Sequence, residues 1–201
     1  MPDWDAKYAG RDALFGDRPN EYVREICNRS DFTARSALCL ADGDGRNGRW
    51  LATQGLRVTA VDISRVGTEN AIAQDQAAGV SVDRITADLG DWTPTDGQVW
   101  EAAFIIYLQC DPPTRERTVK LAVDALMPGG WLVVEAFAHP AAGQGGLGPR
   151  DRAVLYDLAD IETIVPELNM IEALTGRVLL DEGGRHQGEA HVVRYAGRKR
   201  E

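Results

Sequence analysis

The sequence predicts an α/β fold, a single domain built on a doubly wound sheet that is mostly parallel and ends in an antiparallel C-terminal hairpin strand. Three observations predict it. The apolar pattern switches repeatedly between short β-rich runs and longer stretches of helical spacing. The first clear run leads through a glycine-rich turn into a helix, which makes a βα unit. The last two runs are joined by a short link with no helix, so they pair antiparallel. With 201 residues, 44% hydrophobic and 26% charged, the chain has the composition of an ordinary globular protein. It can bury one full core but is too short for two enzyme domains and a linker.

Each element has its own signal. In residues 1–35, Trp4 and Tyr8 stand at the i, i+4 spacing of one apolar helix face, and Pro19-Asn20 precedes a helix from 21 to about 28. No strand signal comes before it, so 1–35 are expected to form a helical cap over the ligand edge of a sheet domain at 36–201. The run 37–40 is the first strand, Ala41-Asp42-Gly43-Asp44-Gly45 the turn, and about 47–54 a helix. A strand at 58–61 ends at Asp62, and a helix at 64–78 is closed by Gly79 in the C′ position. A weaker strand at 82–86 leads into Ala87-Asp88-Leu89, and the unbroken apolar run 102–108 reads as a central strand buried on both faces. A helix at 114–126 carries Val119, Ala122, Val123 and Leu126 on one face and is ended by Pro128-Gly129-Gly130, after which 131–136 is a strand. Residues 143–149 are too rich in glycine for an element and make a loop able to act as a lid. A helix over 156–165 stops at Pro166, and strands near 170–180 and 190–195 flank a link at 181–188.

Charge and cysteine content narrow the function classes. The net charge of −9 repels a phosphate backbone, so no nucleic-acid partner is expected. Cys27, Cys39 and Cys110 are odd in number and widely spaced, which suits a reducing compartment rather than a disulfide framework or a zinc site. The charged start has no signal-peptide core and no apolar run approaches the roughly 18 residues of a membrane span, so a cytoplasmic protein with no membrane partner is expected. The sequence sets no oligomeric state.

Gly43, Gly45 and Gly48 satisfy G-x-G-x-x-G between a strand and a helix, and Asp62 ends the next strand about 20 residues on. Glycines admit a close backbone approach, a helix start offers N–H groups, and an acid there accepts bonds from ribose hydroxyls. The pattern points to an adenosine-type cofactor. Asp42 and Asp44 would repel a pyrophosphate but suit an ammonium and a sulfonium, which favours S-adenosylmethionine over NAD. Arg46 partly offsets them.

Leu40-Ala41-Asp42-Gly43-Asp44-Gly45-Arg46-Asn47, followed by Thr59-Ala60-Val61-Asp62-Ile63-Ser64, resembles the class I S-adenosylmethionine-dependent methyltransferases, and within them the small tellurite-resistance and thiopurine-methyltransferase-like group. The resemblance extends through Ala87-Asp88-Leu89, Leu126-Met127-Pro128-Gly129-Gly130, Trp4-Asp5-x-x-Tyr8 and Gly16-x-x-Pro19-Asn20, and so covers nearly the whole chain. It implies a Rossmann-like sheet, S-adenosylmethionine as cofactor and S-adenosylhomocysteine as product. It also implies that the Ala41–Gly45 loop with Arg46 and Asn47 holds the methionine part, that Asp62 takes the ribose, and that Ile63 beside Ser64 packs on the adenine. Asp88 and Leu89 would meet the adenine edge, Ile106 and Tyr107 would line the site, and Tyr8 with Trp4 would cap the cofactor. Two positions depart from the family. Its usual acid is Cys39 here, and its first glycine is Ala41, which is acceptable if φ is negative.

Each candidate also has a plain structural reading. Asp62 could cap a helix, Asp88 could form a turn, and Asp42 and Asp44 could be solvated. Tyr107, at the C-terminal end of a central strand, is a catalytic candidate, with His139 and His186 as isolated further ones; His191 reads as a sheet residue. No spacing suggests a metal site or a nucleophilic serine. The expected activity is methyl transfer to a small-molecule nucleophile such as a thiol or a chalcogen anion, which needs no general base. The alternatives are a non-catalytic cofactor-binding scaffold and a single-domain NAD(P)-dependent reductase. The reductase needs a proton donor such as a Tyr-x-x-x-Lys pair, and none of the five tyrosines is expected to supply one.

Overall fold

The computed structural model describes residues 2–11, 13–140 and 146–201, so positions 143–145 of the expected glycine loop lie outside the described residues. In chain order the elements are α1 (Trp4–Tyr8), α2 (Glu21–Cys27), β1 (Ser36–Leu40), α3 (Arg46–Thr53), β2 (Arg57–Asp62), α4 (Arg65–Ala78) and β3 (Asp83–Thr86). They continue with β4 (Trp100–Ile106), α5 (Pro112–Asp124), β5 (Leu126–Phe137), α6 (Leu158–Ile164), β6 (Leu168–Gly183) and β7 (His186–Lys199).

The seven strands form one sheet in the order β3-β2-β1-β4-β5-β7-β6. The first five are parallel, β7 runs antiparallel to β5, and β6 pairs antiparallel with β7 along nearly its whole length. This is the α/β sheet expected from the sequence, with its antiparallel C-terminal strand. Alternation along the strands supplies a core on each face. Leu38, Leu40, Ala103, Ile105, Leu132 and Val134 pack with Val119 and Ala122 of α5 and Ile161 of α6. Ala37, Cys39, Val58, Phe104 and Val133 pack with Tyr22, Val23 and Ile26 of α2 and Leu51 of α3. Burial on both sides explains the unbroken apolar runs.

Three boundaries differ from expectation. β4 ends at Ile106 because Tyr107 has φ +56° and leaves the strand. α5 stops at Asp124, and β5 begins already at Leu126; the pairing skips from Trp100–Leu126 to Ala102–Trp131, so Pro128-Gly129-Gly130 forms a bulge inside the strand rather than a helix stop. The hairpin strands extend to Gly183 and His186, which leaves Gly184-Arg185 as the turn in place of an eight-residue link. Gly79 does close α4 in the left-handed conformation, φ +68°. Cys27, Cys39 and Cys110 are free thiols.

Candidate active site

The order of the sheet reverses between β1 and β4, and at their C-terminal ends lies a cavity that, counted with the solvent at its mouth, spans about 820 Å³. Of the residues singled out in the sequence, Tyr8, Ala41, Asp42, Gly43, Arg46, Asn47, Asp62, Ile63, Asp88, Leu89, Ile106 and Tyr107 line it, together with Asp44, Trp4 and His186. Gly45 and Ser64 do not. Gly45 begins α3 at φ +85°, where a side chain would collide with the Arg84 guanidinium. Ser64 caps α4, accepting from the Gly67 N–H at 2.9 Å while its hydroxyl donates to Asp5 at 2.6 Å. His139 also lies elsewhere, with its Nδ1 at 3.1 Å from Arg152 Nη2 in a peripheral loop.

The glycine loop is closed on itself. The N–H groups of Ala41 and Asp42 donate to the Val61 carbonyl (2.8 and 3.4 Å), and that of Gly45 donates to the Asp42 carbonyl (2.9 Å). The Gly43 N–H donates to Asp62 at 2.8 Å and the Gly48 N–H to the Asp42 carboxylate at 3.2 Å. Ala41 departs from its expected conformation. Its φ is +61°, in the left-handed region that disfavours a Cβ, so the alanine is tolerated under strain and not because φ is negative. Ala41 and Tyr107 are the non-glycine residues with positive φ among those described, and each ends one of the two strands that open the cavity. Strain of this kind gathers where a fold is built around a ligand.

Four acids around the loop have distinct environments. Asp42 pairs with Arg84 Nη1 at 2.8 Å, and Arg84 in turn takes Asp75 in a two-pronged bond at 2.7 and 3.1 Å. The Arg84 side chain is only 3% exposed, so this charge is balanced inside the protein. The expectation that Asp42 waits for a ligand cation is therefore corrected: a residue far along the sequence already neutralises it. Asp44 accepts from the Leu14 N–H at 3.1 Å, and burial raises its pKa. Asp62 accepts from Gly43 and from the Ser64 N–H (2.8 Å each), which leaves lone pairs on both oxygens. Burial, with added repulsion from Asp42 and Asp44, pushes its pKa up to about 6. Asp88 accepts from the Gly90 N–H at 2.8 Å, which makes it a turn former that also faces the cavity.

Aromatic side chains roof the cavity. α1 is fastened to the start of α4 by Asp5, which accepts from Ser64 and from the Val66 N–H at 3.1 Å. This sets the Tyr8 hydroxyl directly over Gly43, where a methyl group would collide with it. Trp4 stacks on Tyr8 at 6.0 Å, Phe15 lies 4.8 Å from His186, and Tyr107 meets His186 edge-on at 4.4 Å.

Beneath that roof is a buried polar network that sequence reading missed. Arg46, 5% exposed, pairs with Glu182, 2% exposed, at 2.6 Å, and its Nη2 lies 3.1 Å from His186 Nδ1. Asn20 donates to Glu182 at 2.7 Å and to Glu135 at 3.2 Å. Glu135 also receives the Tyr107 hydroxyl and pairs with Arg194 Nε at 2.7 Å. The Arg46 guanidinium is thus occupied, although the residue lines the cavity. Burial lowers the His186 pKa and keeps the ring neutral near pH 7. Tyr107 titrates well above its usual range through burial and the Glu135 charge, which makes it a hydrogen-bond donor and a poor base. Only the position of Tyr107 at a strand end, and the isolated His186, hinted at this cluster in the sequence.

A model of the methyltransferase domain family matches residues 37–130, the stretch from β1 to the bulge in β5 that carries the glycine loop, Asp62 and Asp88. The match covers 94 of the 201 residues, just under half of the chain. No curated protein sequence matches it. Among solved structures, TehB from Haemophilus influenzae superposes with a TM-score of 0.73 at 13% identity over 89% of this chain. The match spans 61% of TehB, so this chain covers less than two thirds of that protein's length. The N-methyltransferase NodS from Bradyrhizobium japonicum WM9, in complex with S-adenosyl-L-homocysteine, gives 0.72 at 16% identity over 98% of this chain and 97% of NodS. The cyclase SpnF gives 0.68 at 14% over 90% of this chain and 80% of its own. At these identities the likeness establishes the fold, and a cyclase on the same fold shows that fold alone does not select the reaction.

The geometry of the cavity suits S-adenosylmethionine. Asp62 offers free lone pairs to hydroxyls, while Ile63, Leu89 and Ile106 present an apolar slot for a flat ring. A pyrophosphate fits poorly. The loop N–H groups of Ala41, Asp42, Gly43, Gly45 and Gly48 are spent on protein acceptors, and Asp44 and Asp62 add negative charge. Contrary to expectation, the chain does contain a Tyr-x-x-x-Lys spacing, Tyr195 to Lys199. Tyr195 is buried in the core and the Lys199 ammonium donates to the carbonyls of Val123 and Leu126 (2.8 Å each), away from the cavity, so the pair makes no proton donor there. Among the described residues no group of His, Cys, Asp and Glu is arranged to hold a metal, and no helix is long and apolar enough to cross a membrane.

Proposed function

We propose that the protein methylates a small-molecule nucleophile, in the manner of the small tellurite-resistance and thiopurine-methyltransferase-like group, with residues 1–35 as a cap over the cofactor. The observation that carries this reading is the pairing of an internally closed glycine loop with the lone pairs of Asp62 in a cavity roofed by α1. In it Asp62 holds the ribose hydroxyls, Ile63, Leu89 and Ile106 hold the adenine with Asp88 at its edge, and Ala41 to Asn47 flank the methionine part. When bound, S-adenosylmethionine supplies a methyl carbon on a sulfonium, which leaves as a neutral thioether. The protein has little covalent work to do: Trp4, Tyr8, Phe15 and Tyr107 exclude water and align the acceptor. A thiolate or chalcogen anion reacts with no base. For an acceptor that must lose a proton, His186 is the group suited to take it, being neutral, placed on the cavity wall, and able to donate its Nδ1–H to Glu182 at 3.2 Å so that Nε2 keeps its lone pair.

Calorimetric titration with S-adenosylmethionine, S-adenosylhomocysteine and NADH tests the reading. Micromolar binding of the two sulfur ligands, weakened about 10- to 100-fold by Asp62→Asn through loss of a charge-assisted bond, is expected. Binding of NADH alone overturns it. Binding of the sulfur ligands with no transfer to any thiol, amine or chalcogen acceptor favours the scaffold.

A further inference from the structure

A second, more open cleft of about 1650 Å³ adjoins the cofactor cavity and shares Trp4, Phe15, Gln109, Cys110 and His186 with it. On the reading above this is where the acceptor sits. Its apolar walls are Trp4, Phe15, Phe137 and Leu147, so its occupant has an apolar or aromatic body.

The same cleft is lined by Lys7, Arg150 and Arg185, which come from α1, from the loop before α6 and from the β6–β7 turn. The fold brings them together from three distant parts of the chain. Among the described residues none of the three forms an ion pair, in a chain where acids outnumber bases by 31 to 22 and arginines such as Arg46, Arg84 and Arg194 are paired. The two acids in the same cleft, Asp111 and Asp151, are held in local caps and, among the described residues, pair with none of the three cations. Asp111 caps α5, accepting from the Thr114 N–H and hydroxyl at 3.0 Å each, and Asp151 accepts from the Ala153 N–H at 3.0 Å. Lys7 and Arg185 repel each other: burial first and Arg185 second draw the Lys7 pKa down. The Lys7 ammonium lies 3.9 Å over the Trp4 ring, which holds it at the cleft. Unpaired like charges gathered beside an apolar wall are costly in the empty protein and favourable once an anion enters.

We infer that the methyl acceptor carries a permanent anionic group, such as a carboxylate or sulfonate, on an aromatic or apolar body, and that Lys7, Arg150 and Arg185 bind that group while the nucleophile points past His186 toward the cofactor. The inference rests on the proposed methyl transfer. Its test uses the full chain saturated with S-adenosylhomocysteine, titrated calorimetrically with 4-mercaptobenzoate and with thiophenol, for the native protein and for the double variant Arg150→Gln, Arg185→Gln. Partly exposed ion pairs each contribute modestly, so 4-mercaptobenzoate is expected to bind about tenfold tighter than thiophenol. In the double variant the preference falls below about threefold, with S-adenosylhomocysteine affinity unchanged. Equal binding of the two thiols, or a preference that survives the double substitution, overturns the inference and leaves the methyl-transfer reading standing. Failure of the native protein to bind S-adenosylhomocysteine overturns both.

Discussion

Replacing Ala41 by glycine tests the strained loop directly. At φ +61° an L-residue costs about 1–2 kcal/mol relative to glycine. Against this gain stand the greater freedom of glycine in the unfolded chain, about 0.4–1 kcal/mol, and the lost burial of a half-exposed methyl, about 0.4 kcal/mol. The balance for Ala41→Gly is a stabilisation of about 0.4 kcal/mol, a rise in Tm of about 1 °C for a domain of this size. Ala41→Val goes the other way. A β-branched residue forced into the left-handed region destabilises by a further 1–2 kcal/mol or about that amount. Urea unfolding followed by circular dichroism, with the slope m unchanged, separates the two variants by their midpoints. Were Ala41 at negative φ, valine would be well tolerated at a strand end and glycine would destabilise. That order of midpoints would refute the argument from strain.

Three further outcomes are expected. Arg84→Met strands the carboxylate of Asp42 in the interior, leaves Asp75 with only the longer Arg49 pair at 3.8 Å, and costs about 3–5 kcal/mol in urea unfolding; a change below 1 kcal/mol would mean that the acids are solvated. Gly43→Ala puts a methyl where the Tyr8 hydroxyl lies, so α1 lifts from the loop and S-adenosylhomocysteine affinity falls about tenfold, which calorimetry and Trp4 fluorescence both read. Asp62 is half-protonated at about pH 6, so affinity for the sulfur ligands drops as pH falls through that value and becomes flat in Asp62→Asn. Its contribution to folding has the opposite sign: because the folded-state pKa is raised above 3.8, that contribution is greatest at low pH and is lost as pH rises through about 6.

What could be read from sequence was local. Ala37 to Leu40 and Ala102 to Ile106 are strands because every side chain is apolar and both faces are covered, and that pattern is complete within a few residues. Gly79 announces the end of α4 because only its own φ matters. Pro128-Gly129-Gly130 misled because a helix stop and a strand bulge use the same residues, and only the partner strand β4 decides between them. The positive φ of Ala41 has no signal in its side chain; it follows from the two bonds to the Val61 carbonyl. The buried ions were illegible for a related reason. Glu135 looks like a polar interruption in an apolar strand until Arg194, Asn20 and Tyr107 surround it, and Asp42 looks free until Arg84 arrives from β3.

The reach of the β6–β7 hairpin bears on how the protein is made. Glu182 and His186 flank its turn, yet their partners Arg46 and Asn20 belong to the first quarter of the chain. A ribosome releases the glycine loop early, long before the side chains that anchor the start of α3 exist. The nascent first half therefore holds a buried-to-be arginine with no counter-ion, and the pocket is completed only when the last strands close over it. The pocket is thus finished only after the hairpin has been made, and a chain cut short before the hairpin keeps the glycine loop but lacks a finished place to bind.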